Sequence, residues 1–129
     1  MKKIKYPTTD ELVEINKLVL IEIKVKKADK PELLSYSALK NCIENCENTE
    51  GDVYAKASIL LKSLVLKHPF ASGNRRTALV ATKKFLLDNN VESKLKNDEE
   101  EAKVLKKIRY GEYKDEEIKE WLKTGKIGK

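Results

Sequence analysis

The spacing of apolar residues is the feature that most limits what this chain can fold into. Apolar side chains recur every three or four positions in successive segments, as Leu12, Ile15 and Val19 do near the N-terminus. This spacing lines one face of a helix, whereas a half-buried strand needs apolar and polar residues in alternation. No strand pattern of useful length occurs, although residues 91–95 are compatible with a short extended segment. The sequence therefore predicts an all-α fold.

Turn and capping residues divide the chain into six predicted helices. Thr8 and Glu11 match a capping box at the start of the first helix, and Pro31 suits the first turn of the second. Pro69 requires the third helix to end shortly before it, and Gly111 ends the fifth. The predicted helices are residues 8–26, 31–46, 52–66, 74–88, 97–109 and 115–123.

The length of 129 residues fits one domain, residues 1–129, in which residues 124–129 are expected to form a frayed tail. Hydrophobic residues make up 40% of the chain, which is enough for one compact core. The longest apolar run, Leu18–Ile21, is far shorter than the roughly 20 residues that cross a bilayer. The N-terminal lysines are not followed by the apolar stretch of a signal peptide. We therefore expect a cytoplasmic protein with no membrane partner.

The charge pattern sets arginine apart from lysine. Basic residues outnumber acidic ones by 27 to 21, which permits an anionic partner. They are interspersed with acidic rather than aromatic residues, which argues against sequence-independent nucleic-acid binding. Only three of the 27 are arginines, namely Arg75, Arg76 and Arg109. Two adjacent arginines in a lysine-rich chain indicate a need for guanidinium groups, which bind phosphate or carboxylate bidentately.

Residues 68–76 read His-Pro-Phe-Ala-Ser-Gly-Asn-Arg-Arg and contain the only histidine of the chain. They lead from a loop into a helix N-terminus, where unpaired N–H groups and the helix dipole favour an anion. Gly73 lets the backbone turn and approach a ligand. The two arginines are unfavourable next to the positive end of the helix dipole unless an anion offsets their charge. A lone imidazole beside such a phosphate site is a candidate general base. The segment thus indicates transfer of a phosphate-containing group to a hydroxyl.

This segment resembles the central motif of the Fic/Doc family: His, Pro or Ile, Phe, any residue, Asp or Glu, Gly or Ala, Asn, Gly or Lys, and Arg. It is most similar to the Doc (death-on-curing) branch, in which Thr-Ala-Leu and an apolar helix follow, as in residues 77–86. The likeness extends to residues 31–43 and 109–122, so it covers nearly the whole chain. The resemblance implies a helical bundle whose motif loop leads into the fourth helix, and a nucleotide-dependent transferase that modifies proteins.

The resemblance assigns a role to most positions of the motif. His68 would be the catalytic base for a target hydroxyl, and Phe70 would be a core anchor that fixes the loop. Gly73 and Asn74 would shape the anion hole, with the Asn74 side chain holding either the loop or a phosphate. Arg76 would bind a phosphate of the nucleotide.

Two positions favour the Doc branch. Arg75 is basic, as in Doc, and would join in phosphate binding, while Leu79 replaces the second arginine of Fic proteins that transfer AMP. The resemblance then implies a kinase that transfers the terminal phosphate of ATP to a Ser or Thr hydroxyl of a protein such as a translation factor. Transfer of AMP to a protein hydroxyl is the alternative.

Ser72 departs from the family pattern, because it replaces the Asp or Glu that binds Mg²⁺. A serine hydroxyl can ligate Mg²⁺ but brings no negative charge, so a metal site here would be weak. Either the phosphates supply most of the ligands, or a carboxylate from elsewhere helps, or the metal-dependent step is lost. A catalytically degraded protein that still binds a nucleotide or a partner is therefore a further alternative, as is an ordinary loop role for Ser72.

The regulation of a Doc-like protein depends on an inhibitory helix. Doc proteins are usually toxins held in check by a separate antitoxin, so the resemblance implies a protein partner in trans. Other members carry their own inhibitory helix, with Ser or Thr four positions before a Glu that Gly or Asn follows. Such Glu pairs occur at 44–45, 47–48 and 50–51, but Lys40, Ile43 and Cys46 occupy the hydroxyl positions. The sequence therefore indicates no built-in inhibitor of this pattern.

Four side chains outside the motif have competing interpretations. Cys42 and Cys46 lie four apart on one predicted helix face, where buried thiols are expected and a redox pair is the alternative. A four-ligand zinc set is excluded because the chain has one histidine and no other cysteine. Trp121 is expected in the core. Tyr36 lies in residues 31–37, which resemble the family's flap, and is either a core residue or part of a substrate-docking edge.

Overall fold

The computed structural model describes residues 3–23, 31–95 and 99–127, and these residues form six helices and no strand. The all-α prediction is therefore confirmed. The helices are α1 (Thr9–Ile23), α2 (Tyr36–Asn48), α3 (Val53–Lys67), α4 (Asn74–Asp88), α5 (Glu99–Arg109) and α6 (Asp115–Thr124). The predicted continuation of the first helix to residue 26 and the start of the fifth at residue 97 lie outside the described residues.

Local capping groups determine where several helices begin. The Thr8 hydroxyl accepts a hydrogen bond from the Glu11 N–H at 3.1 Å, and the Glu11 carboxylate accepts one from the Thr8 N–H at 2.9 Å. This reciprocal pair is the predicted capping box, which satisfies two backbone donors that the helix itself leaves free. Asp52 caps α3 in the same way by accepting from the N–H of Ala55 at 2.9 Å.

The predicted start of the second helix at Pro31 is wrong. Ser35 is the N-cap of α2, and its hydroxyl accepts from the N–H of Ala38 at 3.1 Å. Residues 32–35 instead lie antiparallel to residues 69–71, with an isolated β-bridge between Leu33 and Phe70. The backbone groups of this segment are thus satisfied by pairing outside any helix, and that pairing holds it extended.

Helix α3 lies at the centre of the bundle and packs against α2, α4, α5 and α6, while α1 packs against α4 and α2. Its residues Leu60, Leu61 and Leu64 are buried. Trp121 is also buried in the core, as predicted. Of the C-terminal segment expected to fray, Thr124 closes α6 and Ile127 packs against the core. No helix among the described residues is long and apolar enough to span a membrane.

Candidate functional site

Residues 68–73, the motif loop, connect the central helix α3 to the N-terminus of α4. His68 is the C-cap of α3 and adopts the left-handed conformation, with φ 52° and ψ 55°. Left-handed backbone costs a non-glycine residue roughly 1–2 kcal/mol. Pro69 follows and prevents continuation of the helix. The chain therefore turns sharply at His68 and leaves the imidazole exposed at the surface.

The motif loop is closed by Asn74. Its side-chain oxygen accepts from the Phe70 N–H at 3.0 Å, and its side-chain nitrogen donates to the Phe70 carbonyl at 2.8 Å. Both residues are buried, at 4% and 1% exposure, so neither the Phe70 ring nor the Asn74 amide faces solvent. Of the two roles considered for the Asn74 side chain, the structure shows the one that holds the loop.

Gly73 precedes α4 at a position where a side chain has no room. Its φ is +76°, and a Cβ atom built there would lie 3.0 Å from Cδ2 of Leu20. As the N-cap of α4, it supplies no side-chain hydrogen bond to the first turn. The first N–H groups of α4 are consequently left for another acceptor, and the positive end of the helix dipole is concentrated there.

The first turn of α4 carries two guanidinium groups, for which the described residues supply no counter-ion. Arg75 is exposed and Arg76 is half-buried. Neither forms an ion pair with a carboxylate among the residues that the structure describes. The Nε atom of Arg76 is buried without a hydrogen-bond acceptor. A buried donor without a partner lowers stability, and an anion could reach only the accessible part of this side chain and the free N–H groups of α4.

Burial and two guanidinium groups influence the protonation of His68. Partial burial, followed by the guanidinium groups of Arg109 and Arg75, lowers the pKa of His68 below its ordinary value of about 6.5. Both causes disfavour the imidazolium form. The side chain is therefore neutral near pH 7, which is the state that a general base requires.

Asn16 of α1 is a site residue that the sequence analysis missed. Its side-chain nitrogen donates to the Ser72 carbonyl at 2.9 Å and to the Thr77 hydroxyl at 3.0 Å. Asn16 is 1% exposed; its bond to Thr77 is buried and its bond to Ser72 is part-buried. It thereby ties α1 to the motif loop on one side and to α4 on the other. The available signal was an asparagine between Ile15 and Val19, on the apolar face of α1.

The segment before α2 forms one edge of the motif loop. The N–H groups of Leu34 and Ser35 donate to the Pro69 carbonyl, and the Ala71 N–H donates to the Glu32 carbonyl at 2.9 Å. Tyr36 follows this pairing and is 57% exposed, which rules out the core interpretation of its side chain. Its role in a substrate-docking edge stays a prediction.

The residues at the motif loop do not fit a protein-held Mg²⁺ ion. Mg²⁺ in proteins is held by carboxylates together with phosphates and water. Ser72 offers a hydroxyl, and its carbonyl is engaged by Asn16. Within residues 3–23, 31–95 and 99–127, no group of three or more His, Cys, Asp or Glu side chains is placed to hold a metal.

The two cysteines lie apart from this chemistry. Cys42 and Cys46 are free and fully buried in α2. Burial raises the pKa of Cys42 to about 11 and that of Cys46 to about 12. Thiols with such pKa values stay protonated and unreactive near neutral pH. The interpretation as buried core thiols is the one that the structure supports.

Comparison with known proteins gives one family match. The sequence model of the Fic/DOC family matches residues 6–86, which is more than half of the chain. The matched region runs from the start of α1 through the motif loop to α4 and so contains Asn16, His68 and both arginines of α4. A comparison with curated proteins finds no match. The extent of the family match, together with a motif loop that leads into the fourth helix of an all-α bundle, shows that this chain belongs to the Fic/DOC family.

Proposed function

We propose that this protein is a Doc-like kinase that transfers the terminal phosphate of ATP to a Ser or Thr hydroxyl of a target protein such as a translation factor. Members of the family are typically nucleotide-dependent transferases that modify proteins. The observation that carries the proposal is the neutral, exposed imidazole of His68 next to the uncapped, arginine-bearing N-terminus of α4. The imidazole is placed to accept the proton of an acceptor hydroxyl, and the N-terminus of α4 is placed to bind a polyphosphate.

The residues of the motif loop divide the reaction between them. The phosphates lie against the N–H groups of α4, where Arg75 and Arg76 balance their charge. His68 takes the proton of the target hydroxyl while the hydroxyl oxygen forms a bond to the terminal phosphorus of ATP. The bond between this phosphorus and the oxygen bridging it to the next phosphate breaks, and ADP leaves with the electron pair. Gly73 and Asn74 keep the loop in place.

The position of Leu79 supports phosphoryl transfer over AMP transfer. Leu79 lies in α4 and is 1% exposed, because its side chain is part of the core. The family members that transfer AMP carry a second arginine at this position. A core leucine offers no group that could bind a phosphate, so the chain lacks that contribution to AMP transfer.

No step of this proposal passes through a metal ion. Ser72 brings no negative charge, and the described residues place no group of three or more His, Cys, Asp or Glu side chains that could hold a metal. Charge on the phosphates is instead balanced by guanidinium groups and the helix end. Ser72→Asp tests this, because it introduces the carboxylate of the family motif: a higher rate together with a higher affinity for Mg²⁺ would show that the reaction does use a metal and would contradict this part of the proposal. An unchanged rate would show that residue 72 is not at a metal.

The proposed role is that of a toxin restrained by an antitoxin in trans, within the cytoplasm. This rests on the resemblance to the Doc branch, whose members are usually held in check by a separate antitoxin. Co-expression with the product of a small adjacent reading frame tests it. Growth arrest by the wild-type protein, relieved by the neighbouring product, is the expected result. Growth unaffected by the wild-type protein alone would refute the toxin role.

The activity is tested with ATP labelled either at the terminal or at the innermost phosphate and incubated with cell extract. Label from the terminal phosphate on protein supports the kinase, and label from the innermost phosphate shows AMP transfer. No label with either ATP shows a degraded, binding-only protein.

The key variant is His68→Gly, because glycine adopts left-handed backbone without strain and the fold is preserved. It should abolish labelling. Lys67→Ala, which changes the exposed neighbouring residue, is the matched control and should retain it. Full labelling by His68→Gly would overturn the proposed mechanism.

A further inference from the structure

The backbone of Gly73 is covered by Leu20 of α1. A Cβ atom built on Gly73 would lie 3.0 Å from Cδ2 and 3.6 Å from Cγ of Leu20. Because a Cβ atom is only one bond from Cα, the Leu20 side chain packs directly against the Gly73 backbone. Leu20 is half-buried, whereas Leu18 and Ile21 of the same helix are 57% and 62% exposed. Leu20 is thus more closely packed than these neighbours, and part of its packing is on the N-cap of α4.

Leu20 and Asn16 contact the same short stretch of backbone. They are four positions apart in α1, so their side chains lie on one face of the helix. Asn16 donates to the Ser72 carbonyl, before Gly73, and to the Thr77 hydroxyl, after it. The Asn16 Nδ2 atom also lies 3.4 Å from the Cβ position built on Gly73. Asn16 therefore holds the two sides of Gly73, and Leu20 fills the space between α1 and Gly73 itself.

The contact with Leu20 matters because the conformation of Gly73 is not enforced by its own residue type. Gly73 has φ 76° and ψ 20°, and glycine adopts φ values of either sign at similar cost. No side-chain cap fixes the start of α4. The Thr77 N–H donates to the Gly73 carbonyl at 2.9 Å, so a rotation of Gly73 would disturb the first turn of the helix. The orientation of the free N–H groups of α4 therefore depends on how Gly73 is packed.

We propose that Leu20 is a positioning residue for the phosphate-binding end of α4, which acts by holding the Gly73 backbone in its left-handed conformation. This inference rests on the proposed function and adds to it a residue outside the motif. What Leu20 supplies is volume beside Gly73, so alanine at this position leaves a gap, whereas methionine, with a similar volume, fills it. Residues 20 and 73 share one space, so a larger side chain at residue 73 is best tolerated with a smaller one at residue 20.

The test is a double-mutant cycle on the full chain, with Leu20→Ala, Gly73→Ala and the two substitutions together. ATP affinity is measured by calorimetry in EDTA, where no metal contributes, at a temperature at which circular dichroism shows each variant to be folded. Leu20→Met is the conservative variant. The comparison of Leu20→Ala with the wild-type protein does not depend on the folding of Gly73→Ala.

Two further variants of α1 are controls. Leu18→Ala makes the same substitution as Leu20→Ala at an exposed position of the same helix. Ile15→Ala controls for lost stability, because Ile15 is a core residue with 9% exposure. Ile15 lines a small cleft with Ala81 and Phe85, in the second half of α4 and away from its first turn.

We expect ATP affinity to fall at least about threefold for Leu20→Ala and about tenfold or more for Gly73→Ala. The double variant should bind ATP at least about threefold more tightly than Gly73→Ala. This recovery stays incomplete, because alanine at a φ of +76° is strained even when the space is free. Leu20→Met and the two control variants should change ATP affinity by less than about twofold.

The outcomes separate this inference from the proposed function. If the wild-type protein binds ATP and Leu20→Ala binds it as tightly, the positioning role is refuted while the proposed function stands. Losses of affinity that simply add in the double variant would refute it too, because they would show that residues 20 and 73 do not share one space. Equal losses in Leu20→Ala and Ile15→Ala would show a general effect of lower stability and overturn the assignment. If the wild-type protein does not bind ATP, both proposals are refuted.

Discussion

Replacing Asn16 by alanine should destabilise the protein and weaken nucleotide binding at the same time. The side-chain nitrogen of Asn16 donates two hydrogen bonds, a part-buried one to the Ser72 carbonyl and a buried one to the Thr77 hydroxyl. Each contributes about 1 kcal/mol to stability, and leaving the two acceptors without a donor costs about 1 kcal/mol more. The expected loss is therefore about 3 kcal/mol in the free energy of unfolding, or about 10 °C in Tm for a chain of this size.

The effect on binding follows from what Asn16 holds. Its hydrogen bond to the Ser72 carbonyl is adjacent to Gly73, whose conformation sets the first turn of α4. Without it, the loop is free to move away from α1, and the N–H groups of α4 are no longer held in one arrangement. We expect ATP affinity and His68-dependent labelling to fall at least fivefold under conditions in which the variant remains folded. Thr77→Val, which removes only one of the two acceptors, should show a smaller loss of both.

Asn89 offers a matched control at the other end of α4. Its side-chain oxygen accepts from the Lys5 N–H at 2.8 Å, and its side-chain nitrogen donates to the Lys5 carbonyl at 3.0 Å and to the Phe85 carbonyl at 2.8 Å. The two bonds to Lys5 are exposed and the bond to Phe85 is part-buried, so Asn89→Ala should lose stability, by less than Asn16→Ala, at a site about 20 Å from the motif loop by the length of α4. Urea unfolding and calorimetry measure both variants. Equal losses of ATP affinity in Asn16→Ala and Asn89→Ala would refute the positioning role, as would a stability loss below 1 kcal/mol for Asn16→Ala.

Further expectations concern backbone and charge. Gly73 and Gly111 have nearly equal φ values, but a Cβ atom would contact Leu20 only at Gly73. In urea unfolding, the free energy of unfolding should therefore fall by about 1 kcal/mol for Gly111→Ala and by more for Gly73→Ala. Only Gly73→Ala should weaken ATP binding. The pKa of His68 is lowered, so kcat/KM should decline only below about pH 6.5, and a decline centred above this pH would contradict the assignment. Arg75→Glu places an acid at the start of α4 and should raise stability by about 1 kcal/mol in urea unfolding while ATP binding is lost.

The boundaries of α4 were predictable because its signals are local. Gly73 precedes the helix and Asn89-Asn90 follow it, and the structure has the helix at the predicted Asn74–Asp88. The start of α2 was not predictable in this way. Pro31 is a valid local signal for a first turn, but pairing of residues 32–35 with residues 69–71 prevails over it. That pairing joins segments more than 30 positions apart, and no periodicity or propensity reports such a contact.

The residues of the candidate site also differ in whether a local sequence signal identifies them. His68, Gly73 and the two arginines of α4 lie within nine consecutive residues, 68–76, so one motif identified all four. Asn16 reaches the site only because α1 packs beside it. It carried a weaker signal, an asparagine on an apolar face. This signal could not be interpreted until the fold showed which groups the side chain contacts.

The motif loop differs from the rest of the molecule in how its helix end is treated. Thr8, Ser35 and Asp52 cap the starts of α1, α2 and α3 with side-chain oxygens. α4 alone among these four begins at a glycine without a side-chain cap, carries arginines where the dipole favours acids, and follows a left-handed His68. Each of these choices lowers the stability of the free protein. A bound anion would supply both the missing cap and the missing counter-charge. Its binding would therefore raise the stability that the free protein lacks at the N-terminus of α4.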